Sequence, residues 1–247
     1  MAKKDRASID PTIDCACVIH GSGYDWVYVD KLYNMLRKYL HRDIRFHVYT
    51  EIDRPVPDHM IKHNLIEWHG ISGPKKSWWY KMQLFNAEHH SGNLLYFDLD
   101  TLIIRDIDWI PELSTDKFWT IKDFRYLQAP GWDEINSSVM WWNVKRFDWV
   151  WQQFKQLDIN NIIRNYRGGD QAYLTKAIDY QDRRYFSSEH TQSWRWECLD
   201  GGTDFTTHKA RNPGTGTVIA DLTSIVVFHG TPKPHEISDP VVKQLWQ

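Results

Sequence analysis

The sequence predicts an α/β protein with a mostly parallel central sheet and flanking helices. Short apolar segments alternate with segments of helical periodicity through the first half of the 247 residues, which is typical of strand–helix units. Residues 93–97 form a continuous apolar run, as expected for a strand covered on both faces. Because we find neither an internal repeat nor a linker, we expect a single domain over residues 1–247, with 1–11 as a flexible N-terminal tail.

The first strand–helix unit is the clearest. Residues 13–19 predict a buried strand, residues 20–25 a turn at its carboxyl end, and residues 26–40 a helix with apolar residues every three or four positions. The same criteria predict the remaining elements, which are strands at 45–50, 65–68, 93–97, 118–121, 138–142 and 225–228, and helices at 77–89, 146–157 and 171–178.

Charge and composition exclude several classes of protein. Lys and Arg total 30 against 32 Asp and Glu, so no global positive field exists to attract nucleic acid. No apolar run approaches the roughly 18 residues of a membrane span, and the polar N-terminus does not resemble a signal peptide. Cys15 and Cys17 lie on the first strand, where reduced thiols pack well. These features predict a cytoplasmic protein without a transmembrane segment.

The strand at 93–97 ends in Asp98-Leu99-Asp100, the sharpest chemical feature of the sequence. Alternation along an extended chain places Asp98 and Asp100 on one side and returns Leu99 to the core. Two carboxylates at this spacing suit a hard cation, Mn²⁺ or Mg²⁺, that also binds a substrate's phosphates. Open α/β sheets bind their ligands beyond the carboxyl ends of the strands, so the location fits as well.

Two further residues follow the last predicted strand. His229 ends residues 225–228 as Asp98 ends its own strand, so its imidazole is a candidate for the same ion. Lys233 stands between two prolines in a stiffened loop, where its ammonium can meet a phosphate. Asp106 and Asp108 repeat the two-residue spacing without a preceding buried run, and we interpret them as a helix cap or exposed turn.

An ordered set of motifs resembles the nucleotide-sugar glycosyltransferases of the GT-A fold, and is most similar to the glycogenin and bacterial galactosyltransferase group (family 8-like). The resemblance spans roughly residues 13 to 236, and it rests on Lys81 within Tyr80-Lys81-Met82, on residues 95–102 around the two aspartates, on Asn136-Ser137-Ser138, on Asp170-Gln171 and on residues 229–234. The fold that it implies is the Rossmann-like GT-A arrangement.

The resemblance also implies roles for individual residues. It implies that Asp98, Asp100 and His229 bind the metal ion. It also implies that the nucleotide-diphospho-sugar donor is bound by His20, Tyr24, Lys81, Asn136, Ser137 and Lys233. The Tyr24 ring would stack on the base, and Lys233 would contact the diphosphate. Asp170 and Gln171 would face the reacting anomeric carbon. The closing motif departs from the family, because Gly230 follows His229 directly and His235 follows Pro234.

The implied function is a metal-dependent transfer of a sugar from a nucleotide-diphospho-sugar, UDP-linked by analogy, to a saccharide or glycosylated acceptor with retention. Metal ions offset the negative charge of a departing diphosphate, so the mechanism is physically sound. Asp133 or Glu134 is the candidate base for an inverting alternative. A nucleotidyltransferase and a non-catalytic, aromatic-rich carbohydrate-binding protein remain alternatives.

The 14 tryptophans outnumber the 12 tyrosines and 10 phenylalanines, so the aromatic residues need an interpretation of their own. We expect the Trp78-Trp79 and Trp141-Trp142 pairs to serve packing, and Trp194 and Trp196 to be the better candidates for stacking on an acceptor. His59 and His63 have the four-residue spacing of a zinc-binding helix but no evident third ligand, and are predicted to be surface residues.

Overall fold

The structure is a computed structural model that describes residues 12–68, 77–199, 203–204, 209–210 and 216–246. Its strands, in chain order, are β1 Ile13–Val18, β2 Ile44–Thr50, β3 Ile61–Asn64, β4 Asn93–Phe97, β5 Thr101–Ile103, β6 Phe118–Lys122, β7 Ile135–Asn143, β8 Arg183–Tyr185, β9 Thr191–Ser193, β10 Thr203–Asp204, β11 Lys209–Ala210 and β12 Ile225–Val227. The α-helices are α1 Val27–Tyr39, α2 Val144–Phe154, α3 Ile159–Asn165, α4 Asp170–Ala177 and α5 Pro240–Leu245.

Seven strands form the central sheet in the order β3-β2-β1-β4-β7-β6-β8. The pairs β3·β2, β2·β1, β1·β4 and β6·β8 are parallel, whereas β7 is antiparallel to both β4 and β6. A smaller sheet has the order β5-β12-β9. The predicted mostly parallel sheet with flanking helices is therefore confirmed, and β4 is central in it.

Alternating residues of β1 and β4 supply two hydrophobic clusters, one on each face of the sheet. Cys15 and Cys17 face the cluster that holds α1, whereas Ala16 faces the cluster that holds α2. All three cysteines are buried and free, as predicted for packed thiols. Burial on both faces explains why the sequence of β4 is apolar without interruption.

Two predicted elements are placed differently by the structure. The third strand is β3, not residues 65–68, because β3 is a polar strand at the sheet edge and the apolar-run criterion selects the residues after it.

Residues 77–89 do not form one α-helix. A 3₁₀ helix spans Ser77–Phe85 and a turn follows. Its last seven residues are all buried, so packing from several sides replaces the single apolar stripe of an α-helix.

Within the described ranges, none of the helices combines the length and apolarity that a bilayer crossing requires. The predicted flexible tail at 1–11 lies outside the described residues.

Candidate active site

A cavity of about 580 Å³ opens at the carboxyl ends of β1 and β4. Parallel neighbours end at the same edge of a sheet, so the segments that follow β1 and β4 meet there. The cavity is lined by every residue to which the family resemblance assigns a metal-binding, donor-binding or catalytic role, namely His20, Tyr24, Lys81, Asp98, Asp100, Asn136, Ser137, Asp170, Gln171, His229 and Lys233. These residues come from six separate segments of the chain and meet in one cavity.

The Asp98-Leu99-Asp100 segment leaves β4 at the floor of the cavity. The Asp98 amide continues the ladder to β7, donating a hydrogen bond of 2.7 Å to the Ser138 carbonyl. Leu99 is 4% exposed and packs in the hydrophobic core, while both aspartates line the cavity. The apolar side chain is in the core and the two carboxylates are in the site, as expected, but the segment is a turn rather than an extended strand, since the Thr101 amide donates a 3.1 Å hydrogen bond to the Asp98 carbonyl.

Lys81 connects the first carboxylate to Asp170. Its Nζ lies 2.9 Å from Asp98 Oδ1, 3.3 Å from Asp170 Oδ2 and 3.2 Å from the Ser137 hydroxyl. The Ser137 hydroxyl in turn donates to Asp170 Oδ2 at 2.5 Å. Because a lysine buried among apolar groups would be costly, this set of acceptors is what permits its burial at 7% exposure.

Asp100 has two donors of its own. The Lys233 ammonium forms an ion pair with Asp100 Oδ2, and the Tyr24 hydroxyl donates to the same oxygen at 2.9 Å. Lys233 also lies 5.6 Å from the centroid of the Tyr24 ring. The loop after β12 and the turn after β1 are therefore both attached to the second carboxylate.

Burial and charge set the protonation of these groups. Burial raises the pKa of Asp100 and of Asp170, and Lys233 and Lys81 respectively oppose that rise. Burial would lower the pKa of Lys81, but the Asp170 and Asp98 carboxylates outweigh burial and raise it. With all groups ionised, the three carboxylates of the cavity, Asp98, Asp100 and Asp170, are matched in number by the cations of Lys81, Lys233 and Arg167, so the lining carries no net charge.

His229 enters the cavity from the end of β12. Its Nε2 lies 2.6 Å from the Ser193 hydroxyl, and its ring stacks on Phe124 at 5.6 Å between centroids. Burial, together with the Arg195 and Lys233 charges, lowers the pKa of His229 to about 4, so the imidazole is neutral at pH 7. The contact between Ser193 and Nε2 fixes the orientation of the imidazole ring.

The turn after β1 closes the other end of the cavity. His20 stacks on Tyr80 with 4.0 Å between ring centroids, and its Nε2 lies 3.1 Å from Glu67 Oε1. Glu51 accepts a hydrogen bond from the Gly21 amide, and Arg54 donates to the Gly21 carbonyl at 2.6 Å. The loop after β2 therefore fixes the backbone of this turn, whose glycine has a φ of 69°.

Four further residues belong to the site and were not predicted. Tyr96 donates to Asp98 Oδ1 at 2.6 Å, and alternation along β4 could have identified it, since it lies two residues before Asp98. Ser193 holds His229 as described above. Trp78 and Arg167 line the cavity near Asp170 and carry no sequence signal of their own.

The structure corrects the prediction for Trp194. Trp194 is 6% exposed and stacks on Phe228 at 5.0 Å between centroids, so its ring is in the core and cannot stack on an acceptor. Trp196 packs with its edge against His229, and neither residue is among those that line the cavity. Trp79 and the Trp141-Trp142 pair serve packing as predicted, whereas Trp78 is 39% exposed at the cavity wall.

His63 is also placed differently from the prediction. It lies on β3 rather than a helix, is half-buried, and hydrogen-bonds His47 Nδ1 through its Nε2 at 2.8 Å. The two prolines before His59 leave no room for the helix that the spacing requires.

The two carboxylate pairs that the sequence analysis set apart lie outside the cavity. Asp133 accepts a 2.8 Å hydrogen bond from Arg183, and neither Asp133 nor Glu134 lines the cavity, which disfavours them as a base for inversion. Asp106 and Asp108 both contact His41 in a turn, as their spacing without a preceding buried run predicts.

The comparisons with known proteins agree with this architecture. No family model matches the chain, and no curated protein matches it in sequence. The fold is similar to that of the galactosyltransferase LgtC in complex with donor and acceptor sugar analogues, with a TM-score of 0.59, 14% identity and coverage of 95% of each chain. It is also similar to the glycosyltransferase GlyE of Streptococcus pneumoniae, with a TM-score of 0.67 and 14% identity over 95% of this chain and 60% of that chain.

A third similar structure is the bifunctional glycosyltransferase WbbM, with a TM-score of 0.56 and 10% identity over 97% of this chain and 52% of that chain. At such low identities the likeness establishes the fold. The chain therefore has the GT-A fold of these glycosyltransferases, with a mostly parallel, Rossmann-like central sheet.

Proposed function

We propose that this protein is a metal-dependent glycosyltransferase that moves a sugar from a UDP-linked donor to a saccharide or glycosylated acceptor, with retention of anomeric configuration. The single observation that carries the proposal is the cavity beyond β4, where Asp98 and Asp100 meet two lysines that reach them from separate segments. The proposal is also supported by the similarity of the fold to that of LgtC, whose structure is a complex with donor and acceptor sugar analogues.

The charge of the site matches a divalent cation together with a diphosphate. Asp98 and Asp100 offer oxygen ligands and His229 a neutral nitrogen, a donor set that suits Mn²⁺ or Mg²⁺. Such an ion, when bound, neutralises charge on the leaving diphosphate. Lys233 would then turn from Asp100 toward phosphate oxygens, since a cation on Asp100 would replace its ion pair, whereas Lys81 would stay bound to Asp170 and Ser137.

The chain's own residues would position the donor and shield the reaction. In the transfer, the bond between the anomeric carbon and the phosphate oxygen breaks, and the acceptor oxygen bonds to that carbon. The acceptor hydroxyl's proton goes to the departing phosphate oxygen. Asp170, held by Lys81 and Ser137, and Gln171 would face the anomeric carbon, where a carboxylate and an amide stabilise developing positive charge.

A panel of nucleoside diphosphates tests the donor. Thermal shift and calorimetry would compare UDP, GDP, CDP and ADP, each with and without Mn²⁺. We expect UDP to stabilise the protein most, and only with metal. Proton NMR of the product formed from a UDP-sugar would then show the donor's anomeric configuration.

Each other outcome has a defined meaning. Absence of metal-dependent binding of any diphosphate overturns the proposal, and glycan binding without metal would favour the carbohydrate-binding alternative. Turnover of nucleoside triphosphates with release of pyrophosphate would favour a nucleotidyltransferase.

A further inference from the structure

A second cluster of ligating side chains lies far from the cavity. Asp14 is the second residue of β1, His47 lies on β2, and His90 lies in the turn before β4. Asp14 and His20 are six residues apart along β1, which separates the cluster from the active site by about 20 Å. The parallel register sets Ala16 beside His47, so the side chains of Asp14 and His47 share one face of the sheet.

The potential ligand atoms already converge. Asp14 Oδ1 lies 3.0 Å from His47 Nε2, Asp14 Oδ2 lies 3.7 Å from His90 Nε2, and all three groups offer atoms within 4.8 Å of one another. Bonds of about 2.0–2.2 Å to a tetrahedral zinc ion place its ligand atoms about 3.2–3.6 Å apart. The ligand atoms are thus close to the spacing that such an ion requires, and binding would replace two existing hydrogen bonds, the one between His47 Nε2 and Asp14 and the 3.2 Å one that His90 Nε2 donates to the Asn93 carbonyl.

We propose that Asp14, His47 and His90 form a binding site for a divalent transition metal ion of the zinc class, with a water molecule at the fourth position. Two imidazoles and one carboxylate are a ligand set that zinc takes with one position left open. Asp14 and His47 are buried, while His90 is half-buried and leaves a route from solvent.

The surroundings hold these ligands in place. His47 Nδ1 lies 2.8 Å from His63 Nε2, so the nitrogen that faces away from Asp14 has a partner that fixes the ring. Arg45 donates to both oxygens of Asp14, at 2.6 and 2.7 Å, and orients the carboxylate. Each carboxylate oxygen has a second lone pair for a metal.

The positive charge of Arg45 is compatible with a metal ion bound at this cluster. The Arg45 side chain is 57% exposed, so solvent screens its guanidinium, and a histidine that binds a metal ion does so through an uncharged imidazole. The ion would join β1, β2 and the turn before β4, and its expected consequence is stabilisation of this corner of the sheet.

The chain offers a matched control. His41, Asp106 and Asp108 form the other described group with the geometry of a metal site, but His41 and Asp106 are exposed. The experiment titrates Zn²⁺ into metal-free protein by calorimetry and repeats the thermal melt with and without Zn²⁺. The variants are His47→Gln, His90→Gln, His41→Gln and the double variant Asp98→Asn/Asp100→Asn.

We expect a tight Zn²⁺ site that raises the melting temperature and is separate from any Zn²⁺ bound at Asp98 and Asp100, which the double variant removes. His90→Gln and His47→Gln should weaken it by more than about 10-fold, whereas His41→Gln and the Asp98/Asp100 double variant should retain it. Thermal melts without metal show whether each variant folds. If His47→Gln, at a buried position, does not fold, His90→Gln alone decides the outcome. Absence of a tight site in the wild type, or its retention in a folded His90→Gln protein, overturns the proposal. Loss of the site in His41→Gln does so as well.

Discussion

The hydroxyl of Tyr24 donates a 2.9 Å hydrogen bond to Oδ2 of Asp100, which lies 76 residues further along the chain. Burial and the nearby Asp100 charge raise the pKa of Tyr24, so the hydroxyl stays protonated and remains a donor. The ring packs edge-on against Tyr28 at 4.8 Å between centroids. Tyr24 therefore links the turn after β1 directly to the carboxylate pair, in addition to any contact that its ring makes with a nucleotide base.

Tyr24→Phe and Tyr24→Ala separate those two roles. Phe retains a flat ring but removes one donor from buried Asp100, so we expect a loss of about 1–3 kcal/mol of folding free energy with nucleotide affinity largely kept. Ala also removes the ring, and UDP affinity should fall by about 10-fold or more. Urea denaturation and UDP calorimetry measure the two effects. Equal loss of UDP affinity in both variants would contradict a stacking role for the ring.

Lys81→Met should destabilise the protein strongly. The substitution leaves the Asp98 and Asp170 carboxylates without their shared cation, and breaking a buried pair on one side costs about 3–5 kcal/mol. Adding Asp170→Asn removes one stranded charge, so the double variant should recover part of the loss. Urea denaturation of the wild type, both single variants and the double variant gives the coupling energy. Additive effects would show that Lys81 and Asp170 do not interact.

The surroundings of Glu51 indicate that the folding stability of the protein depends on pH. Burial raises its pKa, but hydrogen bonds from Arg54, Thr50 and Gly21 together lower it from 4.5 to about 2. An acid with a lowered folded-state pKa contributes stability above its unfolded value, and that contribution disappears as the pH falls from 4.5 to about 2. Because solvent partly screens this site, we expect a contribution of about 1–2 kcal/mol.

We therefore expect the Glu51→Gln variant to be less stable than the wild type at pH 7. The difference in free energy of unfolding should shrink progressively as the pH falls below 4.5. Urea denaturation across this range measures the difference, and Glu189→Gln, at an exposed position, is the control. A wild-type advantage that does not shrink in acid would show that the charge of Glu51 is not its source.

Gly169 supports the wall of the cavity next to Trp78. It has a φ of 77°, and an added Cβ would lie 2.6 Å from Trp78 Nε1, whereas Gly131, with a φ of 94°, has open space around the same position. Gly131→Ala should cost about 1–2 kcal/mol through backbone strain alone. Gly169→Ala should cost about 1–3 kcal/mol more, because the ring or the loop must move. Denaturant midpoints compare the two, and equal losses would contradict the packing argument.

The sequence predicted the site better than it predicted the boundaries of the elements. The pattern of buried β4 followed by Asp98-Leu99-Asp100 is local, so it predicted two carboxylates in the cavity and Leu99 in the core, although a turn and not strand alternation places them there. For the other residues that line the cavity, the ordered motifs of the family resemblance were the guide, because Lys81 lies inside a 3₁₀ helix and Asn136 and Ser137 lie within β7, where no local pattern marks them.

Other features depend on contacts that no local pattern encodes. Edge strand β3 is too polar for an apolar-run criterion, and the short strands β8 and β9 are defined by their partners β6 and β12. The hydrogen bond of Ser193 to His229 joins residues 36 positions apart, and the stacking of Trp194 on Phe228 is equally non-local. A tryptophan in a polar stretch is therefore a poor guide to an exposed ring.

The most direct test of the account is a calorimetric titration of UDP with and without Mn²⁺ into four proteins. These are the wild type, Asp98→Asn, Asp100→Asn and Asp106→Asn/Asp108→Asn, which changes the same Asp-x-Asp spacing in an exposed turn outside the cavity. We predict metal-dependent UDP binding in the wild type and the Asp106/Asp108 variant, and its loss in the Asp98 and Asp100 variants. Metal-dependent binding that survives in folded Asp98→Asn and Asp100→Asn proteins would contradict the central claim.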